Sequence, residues 1–147
     1  MVLMQPFEYK EHVVDVLYEA YGFSFENALE NAAAAMFNVI ADTKKVHEKE
    51  KVVVEEKAET LEELVGFVLG DLLSELDARE IFLKEFKVDH FKKVKDGFEC
   101  KGTAYGSDAV PELGGTVVKA VTYHDIKVEK EEKNGSEHWK ITVLLDI

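Results

Sequence analysis

Val14-Asp15-Val16-Leu17-Tyr18-Glu19-Ala20-Tyr21-Gly22-Phe23-Ser24 is the stretch on which the fold turns. Val14, Val16, Tyr18 and Ala20 recur at period two and share one face, the signature of a half-buried strand. The extended reading reaches back to Phe7, and Gly22 ends it. Ser24 is placed to cap a helix, because its hydroxyl can accept from an amide that the first turn leaves unpaired. Beyond Ser24 the period changes: Phe25, Ala28, Leu29, Ala32, Met36, Val39 and Ile40 recur at helical spacing. That pattern predicts a helix to about Ala41, with Asp42 at its C-terminal edge.

Further along, Lys51 to Glu56 predicts a short strand around Val52-Val53-Val54. Thr60-Leu61-Glu62-Glu63 is a capping box, and the helix it opens buries Leu61, Leu64, Val65, Val68, Leu69, Leu72 and Leu76 before stopping near Asp77. The remainder reads as strands. Phe82 to Val88 and Phe98 to Tyr105 flank the turn signal Asp96-Gly97. Gly106 to Gly115 reads as a loop, and Val117 to Lys130 as one long strand. Asn134-Gly135 is a strong hairpin signal before His138 to Ile147, where Trp139, Ile141, Val143 and Leu145 share a face. The expected class is α+β: a single domain over 1–147, with two long amphipathic helices packed on a largely antiparallel sheet.

Composition narrows the function. The 147 residues carry 18 Lys+Arg against 30 Asp+Glu, a formal charge of −12. Residues 1–80 hold 18 acidic and 7 basic side chains, so the acidity is concentrated there. Such a chain is repelled by a polyanion, and Arg79 is its only arginine, which argues against strong direct nucleic-acid binding. The lysines between Lys84 and Lys101 read as a solvated strand face. No apolar run approaches the roughly 20 residues that span a bilayer. The N-terminus has no secretory pattern, and the single Cys100 suits a reducing compartment, so a cytoplasmic location is expected.

No phosphate loop, nucleophile elbow or His-Glu-x-x-His is present, and a lone Cys100 on a strand reads as core. The informative residues are polar ones that interrupt apolar patterns: Asp15 with His12 three residues before it, Lys119 and His124 inside a predicted strand, and Asp146 after Val143-Leu144-Leu145. Carboxylates converging at strand ends would make a hard-oxygen site for Mg²⁺, Ca²⁺ or Mn²⁺. The plainer alternatives are a solvent-facing strand residue for Asp15, a satisfied core histidine for His124 and a surface charge for Lys119.

The order of these pieces resembles the archease family. His12-x-x-Asp15 is followed by Ala20-Tyr21-Gly22-x-Ser24-x-Glu26-x-Ala28 and by Asn31-Ala32-Ala33-x-Ala35-Met36-Phe37-x-Val39-Ile40-x-Asp42. Lys119-Ala120-Val121-Thr122-Tyr123-His124 is similar to that family's most distinctive string, and Asp146-Ile147 to its Asp-aliphatic end. The likeness covers nearly the whole chain. It implies a cofactor protein of the RNA ligase that joins tRNA exon halves, one that promotes guanylation of the ligase and its multiple turnover. It implies a divalent metal (Ca, Mg or Mn) on Asp15 and Asp146, with Asp42 as a third ligand, and a needed Lys119. His12 and His124 stand beside these as further functional or partner-contacting residues. Two departures are visible: His12-Val13-Val14-Asp15 replaces the family's His-Thr-Ala-Asp, and Pro111-Glu112-Leu113 stands where a loop histidine is often found.

The expectation is therefore a metal-binding activator that is not itself an enzyme and whose partner is an RNA ligase. Two rivals use the same residues. One is a metal-dependent phosphoester hydrolase with His12 or His124 as base. The other is a chaperone-like binding module in which the metal is incidental.

Overall fold

The computed structural model describes residues 4–10 and 15–147. His12, Val13 and Val14 lie outside the described residues. The chain runs through β1 (Phe7–Lys10), β2 (Asp15–Gly22), α1 (Phe25–Ile40), β3 (Glu50–Ala58), α2 (Leu61–Arg79), β4 (Ile81–Val94), β5 (Gly97–Asp108), β6 (Ala120–Val121), β7 (Lys127–Lys133) and β8 (Ser136–Asp146). Short 3₁₀ turns cover Thr43–Lys45, Pro111–Leu113 and Tyr123–Asp125.

The strands divide between two antiparallel sheets. One runs β1-β2-β8-β6 with β7 also on β8, and the other runs β3-β5-β4. Each helix packs against strands of both sheets, so the α+β class holds. The expected extended run from Phe7 to Tyr21 is two strands lying antiparallel, with Phe7 opposite Ala20 and Lys10 opposite Leu17. The expected loop from Gly106 is strand as far as Asp108.

The expected strand from Val117 to Lys130 is corrected most. Only Ala120–Val121 and Lys127–Lys133 are strand there, so Lys119 and His124 do not sit within one. Period-two patterning marks which residues face the core; it cannot show that a turn is looped out of the ladder.

Capping fixes the start of each helix. The Ser24 hydroxyl accepts from the Asn27 amide at 3.0 Å, and Asn27 Oδ1 accepts from the Phe23 amide at 3.1 Å. The Thr60 hydroxyl accepts from the Glu63 amide at 3.1 Å and donates to the Glu63 carboxylate, also at 3.1 Å. α2 runs two residues past Asp77 and ends on Glu80 in the left-handed region. Asn134 and Gly135 both have positive φ, as a primed two-residue hairpin requires.

The core fills the space between the layers. The inward residues of β8, Ile141, Val143 and Leu145, are fully buried, as are Tyr18 and Ala20 of β2. Buried alanines on α1 (Ala28, Ala32, Ala33, Ala35) let its backbone approach the sheet. The Tyr18 hydroxyl, fully buried, donates to the Ala32 carbonyl at 2.8 Å and ties β2 to α1. Burial, with a smaller contribution from Tyr9, pushes that phenol well above its ordinary pKa, so it stays a donor. Among the described residues no helix is long and apolar enough to cross a membrane.

A carboxyl pair bridges β3 and α2. Burial raises the pKa of Glu56, and Asp71 adds to this by charge and by a hydrogen bond to the protonated Glu56. Burial likewise raises Asp71; the hydrogen bond it accepts from Glu56 works against this, and the charge of Glu75 adds to the rise. Both folded-state values lie above the ordinary ones. The pair's stabilisation is therefore fully present at low pH and is lost as pH rises through the raised values. Glu56→Gln is expected to raise the melting temperature near about pH 7 and to change it less near about pH 4. Equal shifts at both pH values in thermal melts would refute the shared proton. Tyr18→Phe is expected to cost roughly 1 kcal/mol in urea denaturation, because one buried hydrogen bond is lost.

Candidate functional site

Asp15 opens β2, and Asp146 closes β8. The two strands pair over their whole overlap, from Asp15 opposite Asp146 to Gly22 opposite Trp139. This register follows from the inner face: Val16 stands opposite Leu145, Tyr18 opposite Val143 and Ala20 opposite Ile141. Alternation then sends Asp15, Leu17 and Glu19, with Asp146, Leu144 and Thr142, to the outer face. Neither aspartate belongs to the core: Asp15 is partly buried and Asp146 is exposed. Two carboxylates thus stand side by side on adjacent strands at one corner of the sheet.

The other edge of β8 brings the lysine string to the same corner. Ala120 is the partner of Asp146, and Val121 is the partner of Leu145. The Lys119 amide donates to the Asp146 carbonyl at 2.7 Å, and the Thr122 amide to the Leu144 carbonyl at 3.0 Å. Lys119 itself is exposed. Three segments far apart in sequence therefore meet: the start of β2, the end of β8 and residues 119–121.

The remaining expected residues sit differently. Asp42 is exposed before the Thr43–Lys45 turn, and its amide donates to the Leu113 carbonyl at 2.8 Å. Among the described residues no three His, Cys, Asp or Glu side chains are grouped so that they could hold a metal ion, so Asp42 does not complete a triad with Asp15 and Asp146. His124 lies in the Tyr123–Asp125 turn with its side chain 84% exposed, 3.4 Å from Asp125. It is not a core histidine. His12 lies outside the described residues.

A shallow groove of about 530 Å³ adjoins the corner, lined by Tyr9, Lys10, Asp15, Asn38, Val39 and Thr116 among others. Its far wall is fixed by the Gly115 and Thr116 amides, which donate to the carbonyls of Ile40 and Val39 at 2.7 and 2.9 Å. Of these residues, Tyr9, Lys10, Asn38 and Thr116 escaped the sequence reading, because no local pattern links β1, the end of α1 and a loop.

Below the corner, the outer face carries an ion-pair network. Lys10 pairs with Glu8 and Glu19, each at 3.0 Å; Lys140 pairs with Glu129 and Glu131 at 3.1 Å and with Glu19 at 3.4 Å. Burial pushes Glu19 up, but its hydrogen bonds from Lys10 and Lys140 more than offset this and hold it below its usual pKa. Hydrogen bonds to Glu129 and Glu131 raise Lys140. Burial, then Glu19 and Glu8, push Tyr21 up to about 12. The lysines of this network, Lys10 and Lys140, are engaged with glutamates.

The donor chemistry of the corner fits a hard divalent cation. It offers two carboxylates on one solvent-facing patch and leaves the remaining coordination positions to water or to a partner's oxygens.

Comparison with known proteins gives the family. A family model described as "Archease protein family (MTH1598/TM1083)" matches residues 7–147. Protein archease of Methanosarcina barkeri is 35% identical over 143 residues, covering 96% of this chain and 95% of that protein. Protein archease of Pyrococcus abyssi is 39% identical over 129 residues, 86% of this chain and 90% of that one. The solution structure of Methanobacterium thermoautotrophicum protein 1598 superposes with a TM-score of 0.83 at 35% identity, covering 98% of this chain and all of the other. The chain belongs to the archease family.

Removing one of the facing charges tests the corner directly. In metal-free buffer, Asp146→Asn is expected to leave the melting temperature essentially unchanged, because Asp146 is exposed and surface substitutions usually stay within about 0.5 kcal/mol. A clear fall in thermal denaturation would mean that the Asp146 charge is itself a structural contact.

Proposed function

We propose that this archease-family protein is a metal-dependent activator of an RNA ligase of the tRNA-splicing type, promoting ligase guanylation and repeated turnover in the cytoplasm. The observation that carries the reading is the corner itself. Asp15 and Asp146 stand opposite each other, and Lys119 is tethered through its amide to Asp146, in a chain of this family.

In this reading Asp15 and Asp146 hold a divalent ion by their carboxylates. When bound, the ion neutralises the pair and offers open positions to phosphate oxygens. Lys119, exposed beside it, supplies a mobile positive charge for a phosphate or a carboxylate of the ligase. The rigid β2–β8 ladder presents these groups in fixed geometry, so that charge developing at the ligase's reacting nucleotide meets a preorganised partner. The acidic first half of the chain favours approach to the basic RNA-binding surface of such an enzyme. Membership of the archease family supports the activator reading over autonomous hydrolysis.

The test combines calorimetry with ligase assays. Metal-free protein titrated with Mg²⁺, Mn²⁺ or Ca²⁺ is expected to bind one ion. Asp15→Ala or Asp146→Ala should weaken that binding by more than about tenfold, the lower bound seen even for residues that only support a ligand. Both variants and Lys119→Ala should lose stimulation of a cognate ligase while remaining folded. Full stimulation by either aspartate variant would end the proposal. Phosphoester turnover by the isolated protein would favour the hydrolase, and client binding indifferent to chelator would favour the chaperone-like module.

A further inference from the structure

The free edge of β8 is covered by two short strands whose registers do not match. From Val121 opposite Leu145 to Lys127 opposite Thr142, the edge chain takes six residue steps while β8 takes three. Three residues are therefore looped out, and they form the turn Tyr123–Asp125. Were the β7 ladder continued without that loop, Tyr123 would stand opposite Asp146. With the loop, Ala120 stands there, and the Lys119 amide reaches the Asp146 carbonyl at 2.7 Å.

Tyr123 opens that loop, and one side of it packs on α2 while the residue as a whole is 52% exposed. Its ring lies along α2 over Gly66 and Gly70, one helical turn apart. A Cβ at Gly66 would stand 2.6 Å from ring Cδ1 and 2.9 Å from Cε1. A Cβ at Gly70 would stand 2.6 Å from the phenolic oxygen, with Cζ next at 3.6 Å. Phe67 meets the ring edge-on at 6.0 Å, and buried Ile126 closes the inner side. Glycine weakens a helix interior, and here the two glycines leave open the slot that the tyrosine fills.

We propose that Tyr123, seated in the Gly66–Gly70 slot, is a positioning residue that fixes the register of residues 119–121 on β8 and so holds Lys119 beside the Asp15–Asp146 pair. This inference rests on the reading of that corner as the working site. Tyr123 acts through the backbone: the ring pins the loop, the loop sets the ladder, and the ladder places the lysine.

The geometry dictates the test. Gly70→Ala meets only the hydroxyl, so Tyr123→Phe removes the conflict; Gly66→Ala meets ring carbons, so Tyr123→Phe does not. Amide hydrogen exchange reads the register at Lys119 and Thr122, with the β2–β8 amides as the internal control for folding. Gly70→Ala is expected to speed exchange at Lys119 and Thr122 by about tenfold or more while the β2–β8 amides stay protected. It should also lower ligase stimulation. Gly70→Ala/Tyr123→Phe should return both to the level of Tyr123→Phe alone, whereas Gly66→Ala/Tyr123→Phe should not recover.

Tyr123→Ala empties the slot without a clash. It should give the same exchange increase even if Gly70→Ala fails to fold. Unchanged exchange at Lys119 in folded Gly70→Ala or Tyr123→Ala would overturn the proposal, as would failure of Tyr123→Phe to rescue Gly70→Ala. A wild-type protein that stimulates no ligase would refute the activator reading instead, and the exchange measurements would still decide the role of Tyr123.

Discussion

The pairing of β2 with β8 is the constraint on which the rest of the molecule depends. It joins residues 15–22 to residues 139–146 in one unbroken antiparallel ladder. Its inner face supplies much of the core beneath α1, and its outer face carries both the aspartate pair and the ion-pair network. A slip of β2 by one residue against β8 would turn Asp15 inward, away from the face that carries Asp146, and bring Val16, Tyr18 and Ala20 out to water. The core therefore enforces the position of the charged corner: the hydrophobic residues that cannot be exposed leave the carboxylates only one place to stand.

The aspartate pair and the ion-pair network show two uses of charge on one sheet face. Around Lys140, three glutamates surround one lysine, an arrangement that satisfies itself. Lys140 and Glu19 are partly buried, so salt screens their pairing less than it screens the more exposed Glu129 and Glu131. At the corner, two carboxylates face each other across the strands, and the nearby lysine is tied down by its main chain rather than by its side chain. The network leaves its lysines engaged with glutamates, whereas Lys119 at the corner is exposed.

What the sequence made legible follows the range of the forces involved. Both helices could be read because their apolar stripes and their Ser24 and Thr60 caps are local. The Asn134-Gly135 hairpin could be read because positive φ at two adjacent positions demands those residues. The division into two sheets could not, because alternation says which side of a strand is buried but not which strand lies beside it. The break between β6 and β7 was hidden for a related reason: it is decided by contact between Tyr123 and glycines more than fifty positions away on α2. The candidate site was named residue by residue through family resemblance. Its assembly, with Asp15 opposite Asp146 and Lys119 bound through its amide, is a matter of register that no linear motif displays. Asp42, drawn in by the same resemblance, stands outside that cluster.

The β2–β8 ladder also has a bearing on how the molecule reaches its native state. Its members are separated by about 120 to 130 residues of chain, so their union closes a loop that costs about 3 kcal/mol more entropy than the β4–β5 or β7–β8 hairpins. Contacts of such long range form slowly and reward the chain only once intervening structure has drawn the ends together. The local hairpins and helices can exist without the aspartate corner, but the corner cannot exist without them. A partly folded chain therefore carries every residue of the site and none of its geometry, and a partner that recognises the paired aspartates selects for completed copies of the protein.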